Sequence, residues 1–124
     1  MEIDVLPDLA VLGELRRSVA AHLLRSGWPA GAVENAVLVV SELLTNAIIY
    51  GRPPIRLSLA QRPEVLRLEV DDAGGGQPTL DLGRANGAGG LGLQIVDALA
   101  ARWGVEDHAP GKAVWVELVA KPTA

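Results

Sequence analysis

Glu42 and Asn46 stand four residues apart in SELLTNAIIYG, Ser41 to Gly51, a run otherwise dominated by apolar residues. Side chains at i and i+4 lie on one face of a helix, so a carboxylate and an amide oxygen would point the same way. At about 100° per residue, Val33, Val37, Val40, Leu44 and Ile48 form the main apolar stripe, with Glu42 and Asn46 opposite it. Leu38, Val39 and Ile49 flank the pair, which predicts cover on both sides of the helix. Burying an unpaired amide costs on the order of a few kcal/mol and an unpaired carboxylate more, so a cation, a bound water or a ligand is one partner such a pair would take. The other reading is a partly solvated polar patch.

A second constellation is VDDAGGGQP, Val70 to Pro78. If Leu66, Leu68 and Val70 face a core, alternation puts Asp72 on their side and Asp71 with Arg67 and Glu69 on the other. Gly74, Gly75 and Gly76 follow, and a flat ligand can approach such backbone without meeting a Cβ. A buried carboxylate needs a donor, and the exocyclic amine of a purine is one. An ordinary Asp-Gly turn leaving a strand is the alternative.

In NGAGGLGLQIV, Asn86 to Val96, glycines lead into a helix whose first free amides could receive phosphate oxygens. Gly87, Gly89 and Gly92 fit GxGxxG in form, yet no strand precedes them and Lys112, not an acid, lies twenty residues beyond Gly92, so a Rossmann site is excluded. A Walker loop is excluded too, because Ala113 follows Gly111-Lys112 and Glu106 stands at the required first glycine. His22 and His108 show no metal-ligand spacing and are expected at the surface or in loops. No GxSxG elbow surrounds Ser18, Ser26, Ser41 or Ser58, and Trp28, Trp103 and Trp115 read as packing anchors.

The elements that must position these residues follow from periodicity. Ile3 to Leu6 reads as a short strand. Pro7 and Asp8 open an amphipathic helix carrying Leu9, Leu12, Leu15, Val19 and Leu23 up to Gly27. A second helix runs from about Ala30 to Tyr50 and ends at Gly51, with Pro53 and Pro54 beyond it. Two strands around Arg62-Pro63-Glu64 form a hairpin. Ala73 to Gly90 reads as a long loop and lid candidate. A third helix starts near Leu91 and ends near Trp103-Gly104, and a hairpin turning at Ala109-Pro110-Gly111 closes the chain. The order is βααββαββ, an α/β (α+β) two-layer sandwich with a mixed, mostly antiparallel sheet and helices on one face.

Bulk properties set the outer limits. At 124 residues, 49% hydrophobic, the chain suits one domain spanning 1–124 with its own core. The absence of cysteine removes disulfides and thiolate metal sites and makes a reducing, cytoplasmic setting the natural expectation. A net charge of −4 with scattered arginines offers no stripe for a phosphate backbone, so direct nucleic-acid binding is not expected. No run is expected to approach the ~18 apolar residues of a spanning helix, and no membrane partner is implied.

In this order, Glu42-x-x-x-Asn46 on a helix, Asp72-x-Gly74-x-Gly76 after a strand and Gly90-Leu91-Gly92 opening a helix resemble the ATPase domain shared by gyrase, histidine kinases and the heat-shock and mismatch-repair ATPases, the Bergerat-type ATP-binding fold. VSELLTNAIIYG and GKAVWVEL look like the small anti-sigma-factor serine/threonine kinases within that superfamily. The resemblance implies ATP and Mg²⁺ as cofactors. It gives Asn46 the Mg²⁺, Glu42 the activation of the attacking group, Asp72 the adenine amine, Gly74 and Gly76 the base, and Gly90, Leu91 and Gly92 the phosphates. It implies an anti-anti-sigma protein and a sigma factor as partners, with phosphorylation of a partner serine. A module switched by ATP or ADP without catalysis and a detached histidine-kinase catalytic domain are the rival readings, and an exposed Ile3 to Leu6 edge suggests a homodimer. Two departures stand out. Ala113 occupies the place where a threonine near the adenine is expected, and Gly87 to Gly90 lack the serine or threonine common in histidine kinases.

Overall fold

A computed structural model describes residues 1–74, 88–108 and 111–119, with the side chains of residues 88–93 outside that description. The elements are β1 (Glu2–Val5), a 3-10 turn (Leu9–Val11), α1 (Leu12–Arg25), α2 (Ala30–Tyr50), β2 (Ile55–Arg62), β3 (Val65–Asp72), α3 (Ala88–Leu99), β4 (Arg102–His108) and β5 (Gly111–Val119). This is the expected order. Asp8 opens the first helical segment by accepting a hydrogen bond from the Ala10 amide at 2.9 Å, but the turn it caps is 3-10, and regular α-helix starts only at Leu12. α1 stops because Gly27 takes φ +89°, while the Trp28 amide donates to the Leu23 carbonyl and the Gly27 amide to that of Leu24.

The strands form one five-stranded sheet in the order β1-β2-β3-β5-β4, and all four pairings are antiparallel. Leu57 and Leu59 of β2 lie opposite Val70 and Leu68 of β3, and Leu66, Leu68 and Val70 lie opposite Leu118, Val116 and Val114 of β5. That register makes one continuous apolar face, on which α2 packs with Val33, Ala36, Val39, Val40, Leu43, Leu44 and Ala47 buried. The buried arc of α2 is therefore rotated from the expected stripe. Val37 and Ile48 are only partly covered, whereas Ala36, Val39, Leu43 and Ala47 are inside. Ala36 and Ala47 are small, so a stripe read from the larger apolar side chains underweights them. Leu38 and Ile49 are exposed at 41% and 48%, so the second flank of the helix is not covered as expected.

In length and composition α2 also meets the requirement for a bilayer-crossing helix, contrary to the expectation that no run would. In this fold one side of it packs against α1, α3 and the sheet, while Leu38, Ile49 and Tyr50 stay exposed.

Two further expectations change. Trp103 and Gly104 belong to β4, not to the end of α3, which stops at Leu99. Of the histidines, His108 lies at the surface as expected, whereas His22 is neither in a loop nor fully exposed. His22 is half-buried in the last turn of α1, with Nε2 at 3.2 Å from Gln61 Nε2, and Gln61 Oε1 accepts from the Trp28 indole at 2.8 Å; His108 ends β4.

Candidate functional site

Asp72 is the last residue of β3 and is only 6% exposed, on the same face as Leu66, Leu68 and Val70. Parity placed it correctly. Its Oδ1 accepts hydrogen bonds from the Gly74 amide at 2.7 Å, the Arg52 amide at 3.4 Å and Lys112 Nζ at 3.2 Å. The Arg52 contact joins Asp72 to α2, because Arg52 follows Gly51, the residue that ends that helix. Gly51 is extended, with φ −90° and ψ −163°, so its glycine is not there to adopt a left-handed cap. It is there for space. A Cβ at Gly51 would stand 2.6 Å from both the Ala47 carbonyl oxygen and Asp72 Cγ, and one at Gly74 would stand 2.8 Å from Asp72 Oδ1. The Ala73 amide donates to the Arg52 carbonyl at 2.9 Å, which ties the two segments a second time.

The C-terminal turn of α2 is thus fastened to the end of β3, and this brings the first two constellations together. Asn46 immediately precedes Ala47, whose carbonyl shares the Gly51 junction with the Asp72 carboxylate. Glu42 lies one turn earlier. Both are half-buried, and neither bonds or pairs with another described residue. A carboxylate and an amide oxygen without partners among the described residues make an oxygen donor set of the kind Mg²⁺ accepts, and the junction beyond Asn46 carries a buried carboxylate that can take a base amine, so the residues present fit a metal–nucleotide ligand.

The third constellation is placed differently from expectation. α3 already begins at Ala88, so Gly90, Leu91 and Gly92 are helical and do not precede the helix. The Gly90 and Leu91 amides belong to the first four of α3, which have no intrahelical acceptor, whereas the Gly92 amide falls within the ladder. Gly75, Gly76 and the lid segment up to Gly87 lie outside the described residues.

Lys112 is the main residue that the sequence reading misplaced. A lysine beside a turn, in parity with Val114, reads from sequence as solvated or as reaching a phosphate, but Lys112 is 7% exposed and ion-paired with Asp72. It stands directly opposite Asp72 in the β3–β5 ladder, and Ala113 stands opposite Asp71 on the other face. The place facing the carboxylate, where a threonine was sought at Ala113, is therefore held by Lys112. Its shared parity with Val114 was visible in the sequence; the register that sets it against Asp72 was not.

The far face of the sheet carries a different electrostatic arrangement. Burial, and after it the charge of Asp71, push the Glu69 carboxyl up. Hydrogen bonding to Arg102, aided by Arg67, holds the Glu117 carboxyl down. Arg67 lies over the Trp115 ring at 4.6 Å, so this tryptophan is held on the far face and does not anchor the core.

The match to a family model corresponding to the histidine kinase-like ATPase domain covers residues 5–118, and the chain belongs to that family. Among solved structures it is similar to the histidine kinase domain of the blue-light activated histidine kinase EL346 of Erythrobacter litoralis, with 24% identity and TM-score 0.58 over 94% of this chain and 67% of that one. It is similar over its whole length to the structure of the RsbU and RsbW domains of Rv1364c from Mycobacterium tuberculosis, with 18% identity and TM-score 0.70, and there it spans 34% of the other chain. The catalytic domain of the histidine kinase ThkA matches at 17% identity and TM-score 0.56 over 99% of this chain and 98% of that one. At these identities the likeness establishes the fold. No curated protein matches the sequence.

Proposed function

We propose that this chain binds Mg·ATP where the end of α2, the end of β3 and the start of α3 meet, and that it acts as an anti-sigma-type serine/threonine protein kinase on a serine of an anti-anti-sigma partner. The observation that carries the nucleotide reading is the buried Asp72 carboxylate, anchored by two backbone amides and facing glycines that leave no Cβ in its way. Asp72 would accept the adenine amine, with Gly74 and Gly76 against the base. Asn46 would supply an amide oxygen to Mg²⁺, and the amides of Gly90 and Leu91 at the start of α3 would face the phosphates. Mg²⁺, when bound, supplies positive charge that offsets the phosphates. Glu42, one turn from Asn46, is the residue placed to accept the proton of the attacking hydroxyl. The kinase reading, with its anti-anti-sigma and sigma partners, rests on the sequence resemblance and on the RsbW-containing neighbour, and a homodimer through β1 rests on that strand's place at the sheet edge.

Calorimetric titration with ATP and ADP, with and without Mg²⁺, tests the site. Magnesium-dependent binding is expected, weakened roughly tenfold to a hundredfold by Asp72→Asn, which removes a hydrogen bond to a charged group. Asn46→Ala should weaken binding only when Mg²⁺ is present. Glu42→Ala should leave nucleotide affinity nearly unchanged and abolish transfer. Acid-stable phosphoserine on the recipient supports the kinase reading, and acid-labile phosphohistidine would replace it with a histidine-kinase reading. Absence of wild-type binding at millimolar nucleotide would remove the nucleotide site itself.

A further inference from the structure

Resting on the proposed nucleotide site, we infer that Lys112 is a second reader of the base: paired with Asp72, it sets a donor beside an acceptor, and the site takes 6-oxopurine nucleotides such as GTP as well as ATP. What the buried pair leaves unspent carries this. Asp72 Oδ1 accepts from the Gly74 amide, the Arg52 amide and Lys112 Nζ, while Oδ2 accepts from no described residue. The Lys112 ammonium has three donors and, among the described residues, gives only one, to Asp72 Oδ1 at 3.2 Å. The two side chains are 9% and 3% exposed. Unsatisfied polar groups at that depth cost free energy, so this pair suits a ligand edge that offers a donor and an acceptor side by side.

The pair holds together while it reads. Lys112 stands directly opposite Asp72 in the β3–β5 ladder, and with Oδ2 open to a base its bond to Oδ1 is kept. A lone carboxylate takes a 6-amino group and repels a 6-oxo group, because two acceptors then face each other. With the ammonium beside it, either edge is satisfied. Adenine gives its 6-amino hydrogen to Asp72 Oδ2, and its N1 accepts from Lys112. Guanine accepts at O6 from Lys112 and gives its N1 hydrogen to Asp72. The ammonium also offsets the carboxylate's charge, so a carbonyl oxygen approaches a neutral pair and not a bare anion.

Calorimetry in Mg²⁺ with ATP, GTP and inosine triphosphate tests this on wild type, Lys112→Thr and Lys112→Met. Inosine triphosphate carries the 6-oxo edge without the 2-amino group, so it isolates the reading of that edge. In wild type, both 6-oxo nucleotides are expected to bind within about tenfold of ATP. Both variants remove the long donor, and threonine brings a hydroxyl to the position facing Asp72, which guards against loss of fold. In each, the 6-oxo nucleotides are expected to lose about a hundredfold relative to ATP. The ratio of affinities within one variant is not moved by a general packing defect. Wild-type binding of ATP with the 6-oxo nucleotides outside the tenfold range, or an unchanged ratio in either variant, overturns the inference and leaves the nucleotide reading in place. Loss of ATP binding in wild type overturns both.

Discussion

At the residue scale, this site depends on atoms that are missing as much as on those present. Gly51 and Gly31 both lie at or in α2, yet they answer to different constraints. A Cβ at Gly31 meets nothing within 4 Å, while one at Gly51 would strike backbone and the Asp72 carboxylate at 2.6 Å. Gly31→Ala should therefore stabilise the protein by about 0.5–1 kcal/mol through helix propensity, and Gly51→Ala should destabilise it by about 1–3 kcal/mol through overpacking. Urea unfolding of the two variants checks this, and equal midpoints would mean that the α2–β3 junction is not sterically closed. The need for a small residue at Gly51 was legible as a helix stop, but its cause was not, because Asp72 lies twenty-one residues further along the chain.

At the element scale, the two faces of the sheet obey the same alternation but different chemistry. The inward row was readable from period two, since apolar residues repeat at every second position. The outward row is charged in sequence, yet parts of it are buried. Glu117 is 5% exposed and bonded by Arg102 and Arg67, and Asp71 Oδ1 is buried without a hydrogen-bond partner among the described residues. Glu117 and Glu69 shift in opposite directions, so their contributions to stability have opposite signs. The folded pKa of Glu117 is depressed below 4.5, so its stabilisation is present above about pH 4.5 and is lost as pH falls through the lower folded value. Glu69 is raised above 4.5, so ionising it costs stability as pH rises from about 4.5 through the folded value. Glu117→Gln should lower the urea midpoint at pH 7 and flatten the acid limb, and Glu69→Gln should raise the midpoint at pH 7 and leave it little changed near pH 4. Parallel shifts in both variants would contradict the assignment.

For the whole molecule, the proposed ligand touches α2, β3 and α3, three elements brought together only in the folded state. A ligand that binds the folded chain alone stabilises it by mass action, about 2.7 kcal/mol at one hundred times its Kd. Mg·ATP should raise the thermal midpoint in a concentration-dependent way, Asp72→Asn should remove most of that rise, and Glu42→Ala should keep it. A midpoint indifferent to millimolar Mg·ATP would speak against the site.

What the sequence by itself determined is whatever depends on near neighbours. Helix and strand order, the inward position of Asp72 and the shared face of Glu42 and Asn46 all follow from residue spacing, because backbone periodicity is local. The start of α3 and the extent of β4 were misjudged where glycine and small residues blur that periodicity. Only the tertiary structure decided the rest. The rotation of α2 toward its alanines depends on what packs around the helix. The contact of Gly51 with Asp72, the burial of Glu117 among arginines and the pairing of Lys112 with Asp72 depend on register between strands distant in sequence. Spacing along a chain sets which way a side chain points, and it does not fix what stands opposite.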